Sequence, residues 1–155
     1  MTDSLVLISS ALSGFQFQGE MPKTMKDLSI ALECKDIARA AEIALRIWID
    51  GPQRTPDQVD PRIRDAVREM SLTALPNAFM KEEPLEPSAS GRLGEIAVPS
   101  LVMVGDLDDD SMKAISDSLE VGIIGSQKVT IPQAAHLPSL EQPEQFNQAV
   151  LKFYA

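Results

Sequence analysis

Several residue types are scarce in this 155-residue sequence, and each scarcity excludes something. There is one cysteine, Cys34, so no internal disulfide can form. A lone cysteine fits a reducing compartment such as the cytoplasm. There is one histidine, His136, so any imidazole chemistry is confined to one place. Positive charge is short, with 14 Lys and Arg against 23 Asp and Glu and a net charge of −9. An acidic surface repels phosphate backbones and anionic lipid, which argues against nucleic-acid or membrane partners. No apolar run approaches the roughly 20 residues of a membrane helix. The opening Met1-Thr2-Asp3-Ser4 has no basic segment, so no signal peptide is expected. What remains is globular: 44% hydrophobic, 24% charged, and long enough for one real core.

Leu5-Val6-Leu7-Ile8 and Leu101-Val102-Met103-Val104 are unbroken apolar runs, and Lys128-Val129-Thr130-Ile131 is a shorter one. Runs without alternation suit strands buried on both faces of a parallel sheet. Between the first two lies a helical stretch. One helix is expected over roughly 23–33. Ile37, Ala41, Ala44, Leu45 and Trp48 then share a face, with Asp36 as cap and Gly51-Pro52 as stop. Asp60-Pro61 opens a third helix with the stripe Ile63, Val67, Met70, Ala74. Residues 81–95 read as a linker. Met112, Ile115 and Leu119 mark a helix after the second strand, and a last helix from Pro143 buries Phe146, Val150 and Phe153. The fold class is therefore α/β, with parallel strands, flanking helices and a helical insertion. The expected division is 1–14 core, 15–80 helical insertion, 81–95 linker and 96–155 core.

Two motifs carry chemistry. Ile96-Ala97-Val98-Pro99-Ser100-Leu101-Val102-Met103-Val104-Gly105-Asp106-Leu107-Asp108 places an aspartate just past a strand end. Val129-Thr130-Ile131-Pro132-Gln133-Ala134-Ala135-His136, followed by Glu141-Gln142-Pro143-Glu144, places the histidine after the next strand. Together they resemble the acid and histidine motifs of the α/β-hydrolase fold family, in order and 28 residues apart. Residues 3–9 are similar to that family's sixth strand, and the helical insertion stands where the family has its cap. Trp48 with Gly51-Pro52 also resembles a motif of some caps. The resemblance implies a Ser-His-Asp hydrolase of a small apolar ester, lactone or related carbonyl compound, with no cofactor and no metal. In it His136 is the base and Asp108 the acid that holds the imidazole and stabilises its charged form.

The family's nucleophile motif, G-x-S-x-G, is absent. By family proportion, on the order of 100 residues would precede this stretch. The chain is thus expected to supply acid and base but no nucleophile. Ser9, Ser10 and Ser13 follow the first strand without the signature of a sharp elbow, and Ser13-Gly14 reads as a turn. The alternative is a catalytically silent fragment that serves as an association or folding unit. Its strand at 4–9 would pair with a separate N-terminal half or a second copy.

Asp106, Asp108, Asp109 and Asp110 crowd one loop. Asp106 is the rival for the acid role. The cluster also resembles a calcium loop, but lacks the required glycine and glutamate. A strand followed by Asp106-x-Asp108 is similar to the opening of Mg-dependent haloacid-dehalogenase-type phosphatases. Their later acidic pair has no counterpart here. The plain reading of the cluster is a solvated helix N-terminus. Trp48, Phe79 and Leu137 are candidates for lining a substrate pocket, as are Met21, Met25, Met70 and Met80. Core packing is the plainer reading for each of the insertion residues, and for Cys34.

Overall fold

The structure is a computed structural model that describes residues 2–17, 19–77 and 86–155. Its elements run β1 (Leu5–Ile8), α1 (Lys23–Glu33), α2 (Ile37–Leu45), α3 (Pro61–Ala74), β2 (Ser100–Gly105), α4 (Asp110–Gly122), β3 (Gln127–Ile131), α5 (Pro138–Glu141) and α6 (Pro143–Tyr154). The chain divides into two compact units, residues 1–18 with 84–155, and residues 19–83.

The first unit is built on a parallel sheet in the order β1-β2-β3. Val6 pairs with Leu101 and Ile8 with Met103; Met103 pairs in turn with Val129. Every residue of β2 is buried. Side chains alternate across a strand, so an unbroken apolar run serves two cores at once. Val102 joins Ile115, Leu119 and Ile123 on the α4 side, while Leu101 and Met103 join Ile131 and Ala134 on the α6 side. Each such side chain contributes about 1.5–3 kcal/mol relative to exposure. Phe146, Val150 and Phe153 cover the second core but are only half-buried, short of the burial expected from the sequence. The expected linker is structured from Glu86 onward. Leu93 enters the α4 core and Ser90 donates its backbone N–H to Ser13 O at 3.0 Å. Residues 81–85 lie outside the described residues. Ser13-Gly14 forms the expected turn, with Gly14 at a φ of 81°.

The second unit is helical. Asp36 accepts from Arg39 N at 3.1 Å and Asp60 from Arg62 N at 2.8 Å, so both caps sit where the sequence places them. Small residues let α2 pack closely: Ala40, Ala41 and Ala44 are buried, with Leu28 and Ala31 of α1 against them. α2 runs into a π-helical turn, Arg46–Asp50, ended by Gly51 at a φ of 66°, where a side chain would be strained. Asp50 is buried and held by Arg64 through two bonds, Nε to Oδ1 at 2.8 Å and Nη2 to Oδ2 at 3.0 Å. Arg54 donates to the backbone oxygens of Ile49 and Asp50. The stripe of α3 differs from expectation. Val67, Ser71 and then Leu75 are buried, while Met70 and Ala74 are exposed. Steps of four carry the contact line through Ser71, whose small side chain packs despite its hydroxyl. Cys34 is exposed at the C-terminal cap of α1, not packed. Among the described residues no helix is long and apolar enough to cross a membrane.

Candidate active site

The site is assembled at the C-terminal ends of β2 and β3. Beyond Gly105 the chain turns, with Asp108 N donating to Gly105 O at 3.3 Å. Two further bonds tie this loop to the one after β3: Asp106 N to Ile131 O at 3.1 Å and Leu107 N to Ala134 O at 2.9 Å. Gly105 is required by this contact. A Cβ there would lie 2.1 Å from Ala134 O and 2.2 Å from Ala135 O. The residue that ends the strand is therefore also the floor on which the histidine loop rests.

On this floor Asp108 and His136 meet. His136 Nδ1 lies 3.1 Å from Asp108 Oδ2 and 3.3 Å from Oδ1. Asp108 is 2% exposed, and its Oδ1 also accepts from Asp109 N at 2.8 Å. A carboxylate facing Nδ1 selects the tautomer that carries its proton there, which leaves the Nε2 lone pair for another group. Among the described residues Nε2 makes no hydrogen bond.

Glu141 is a residue of this site that sequence reasoning missed. It closes the short helix α5, and its Oε1 accepts from Ala135 N at 2.9 Å and Leu137 N at 3.3 Å. The amides on both sides of His136 are thus held by one carboxylate. The signal is the Glu141-Gln142-Pro143-Glu144 motif, in which a carboxylate stands five residues after the histidine.

The four crowded aspartates separate by their contacts. Asp108 holds the histidine. Asp109 caps α4 by accepting from Ser111 N at 2.8 Å. Asp110 pairs with Lys113 at 2.8 Å. Asp106, the rival for the acid role, does not bond His136; its Oδ1 is enclosed without a partner. A phosphatase of the Asp-x-Asp kind needs both aspartates for phosphate and metal, whereas Asp108 is committed to an imidazole. Among the described residues no group of three or more His, Cys, Asp or Glu could hold a metal ion.

Among the described residues none of the serines after β1 forms a hydrogen bond with His136. Ser9 is buried at a φ of 41°, a sharp bend the sequence did not signal, and its Oγ has no partner. Of the substrate-pocket candidates, Leu137 follows His136 and is half-buried. Trp48 packs in the second unit against the Ala-rich helix core. Met21, Met25 and Met70 are exposed. Phe79 and Met80 lie outside the described residues.

No family model matches the chain. Over 61 residues it is 34% identical to the pimeloyl-acyl carrier protein methyl ester esterase of Pectobacterium carotovorum, covering 39% of this chain and 24% of that protein. Among solved structures it is similar to a thermophilic esterase from Thermogutta terrifontis, with a TM-score of 0.75 and 24% identity over 98% of this chain and 55% of that one. A carboxylesterase from Bacillus subtilis matches with a TM-score of 0.67 and 27% identity, over 99% of this chain and 51% of that one. An enol-lactonase from Burkholderia xenovorans matches with a TM-score of 0.71 and 19% identity, over 98% and 56%. The chain spans about half the length of these solved relatives. With its parallel sheet and the Asp108 and His136 loops at the sheet's C-terminal end, it has the α/β-hydrolase fold of these structures over about half their length.

Proposed function

We propose that the chain supplies the acid and the base of a Ser-His-Asp acyl transfer on a small apolar ester or lactone. The nucleophilic hydroxyl comes from a segment outside these residues. The observation that carries this reading is the enclosed Asp108 carboxylate on His136 Nδ1, with Nε2 unbonded. In this role Nε2 takes the proton of the attacking hydroxyl as its oxygen bonds to the substrate carbonyl carbon. Asp108 stabilises the imidazolium that results. Nε2–H then gives that proton to the leaving oxygen as the acyl–oxygen bond breaks. Water repeats the two transfers and releases the acid. The esterase, carboxylesterase and lactonase relatives support an ester or lactone as substrate.

In this reading the chain is silent on its own, because the hydroxyl that Nε2 deprotonates comes from elsewhere. The test is p-nitrophenyl butyrate hydrolysis by the chain alone and by the chain mixed with the part of the Bacillus subtilis carboxylesterase that it does not cover. Turnover in the mixture, lost in His136→Ala, is the expected result. Turnover by the chain alone that survives His136→Ala would sink the proposal.

A further inference from the structure

Among the described residues two side-chain atoms are enclosed without a hydrogen-bond partner, Ser9 Oγ and Asp106 Oδ1. They are far apart in the sequence and near neighbours in the sheet. β1 and β2 run parallel, with Leu7 level with Val102 and Ile8 level with Met103. The ladder goes one residue further, because Ser9 N donates to Met103 O at 2.8 Å. Asp106 N donates to Ile131 O at 3.1 Å, so the pairing of β2 with β3 continues as far as Asp106. Side chains alternate along a strand. Leu7 and Val102 both pack on the α4 side, so Ser9 and Asp106, two and four residues further on, fall on that side too. Both orphan atoms therefore belong to one face, at the C-terminal ends of adjacent strands.

A buried hydroxyl or carboxylate oxygen without a partner loses its hydration and gains nothing in return. Folded proteins meet such groups with ordered water, each molecule making about three hydrogen bonds. Ser9 has a second peculiarity. Its φ of 41° is a left-handed conformation, in which glycine is free of strain and a residue with a Cβ is not. The serine here is 7% exposed and keeps a hydroxyl that glycine would lack. The hydroxyl is the part of the side chain that can offset the strain. The two groups are also chemically matched. A carboxylate oxygen only accepts, whereas a hydroxyl donates and accepts. A molecule between them must donate to Asp106 and can accept from Ser9. Water does both and fits an enclosed corner. A metal ion does not suit the place, because among the described residues no group of three or more His, Cys, Asp or Glu could hold one.

We propose that Ser9 Oγ and Asp106 Oδ1 share one buried water molecule, which latches the end of β1 to the loop that carries Asp108. The inference goes beyond the proposed function and does not depend on it. The direct backbone bonds described for this loop run to β2 and to the segment after β3: Asp108 to Gly105, Asp106 to Ile131 and Leu107 to Ala134. The water adds the third side, toward β1. It also gives Asp106 a role distinct from that of its three neighbours in the aspartate cluster.

Water-to-amide cross-relaxation in nuclear magnetic resonance tests the site on the chain as it stands. A long-lived water gives nuclear and rotating-frame Overhauser peaks of opposite sign, expected at the amides of Ser9 and Asp106. The decisive result is loss of the Asp106 peak in Ser9→Ala, because that substitution leaves Asp106 itself intact. Ser9→Gly removes the strain together with the hydroxyl, so it serves if Ser9→Ala folds poorly, and it should lose the peak as well. Ser9→Ala and Asp106→Ala should each lower the folding equilibrium constant about tenfold. The double variant should also lose about tenfold rather than about a hundredfold, since either change frees the same water. Amide exchange at Asp106 and Leu107 should quicken about tenfold in each single variant, with the amides of α1 to α3 unchanged. No long-lived water at these amides, an Asp106 peak that survives both Ser9 variants, or additive losses in the double variant would overturn the shared site.

Discussion

Each unit of the chain encloses one aspartate, and the two have different partners. Asp50 is 1% exposed and gripped by Arg64, whose planar guanidinium meets it with two bonds. Asp108 is 2% exposed and faces the Nδ1 of an imidazole, whose second ring nitrogen is left for another group. The first arrangement fixes a helix turn in place. The second aims an imidazole ring. Residue type and burial are the same, so the partner alone separates the two arrangements.

The largest effect is expected from Asp108→Asn. The amide keeps the shape, but it cannot stabilise an imidazolium and it disfavours the working tautomer. Turnover by the assembled enzyme should fall by about 10³–10⁴-fold. Thermal unfolding followed by Trp48 fluorescence should hardly move. A loss of only a few fold would show that another group does the acid's work. Asp50→Ala reverses the pattern. It leaves Arg64 facing an emptied site and should cost about 3–5 kcal/mol, read as an earlier urea midpoint at Trp48. Nuclear magnetic resonance should show the His136 ring signals in place. If those signals shift as much as the midpoint does, the contrast between the two aspartates fails.

Gly105→Ala sharpens the comparison from the chemical side. Its Cβ overlaps two backbone oxygens, so the histidine loop must move; about 1–3 kcal/mol of stability and most of the turnover should go together. Unchanged turnover would mean that the loop has slack the close approach denies. The smallest effect belongs to Glu141. Glu141→Ala leaves the amides of Ala135 and Leu137 without their acceptor and should cost about 1–3 kcal/mol. Glu141→Gln keeps one acceptor oxygen and should recover most of the loss. Equal damage from both would show that the charge, not the acceptor, matters.

What was legible follows from range along the chain. The strands could be read because burial on both faces leaves apolar runs, and the caps at Asp36 and Asp60 because a cap is a contact over two or three residues. His136 could be read because it stands alone in a patterned loop. Asp108 was only half legible: composition cannot rank four neighbouring aspartates, whereas the turn at Gly105 aims one of them. The tie between Asp50 and Arg64 spans 14 residues and two helices, and periodicity is blind to it. Ser71 lies buried where an apolar stripe favours Met70, because at that contact small size outweighs polarity.

Every hydrogen bond described here that holds Asp108 and His136 in place is local to the loops after β2 and β3 and to α5: Leu107 to Ala134, Asp108 to Gly105, and Glu141 to the amides beside the histidine. The pair is therefore a self-contained cassette: each of these bonds lies between Gly105 and Glu141, so one short stretch of sequence carries the whole arrangement.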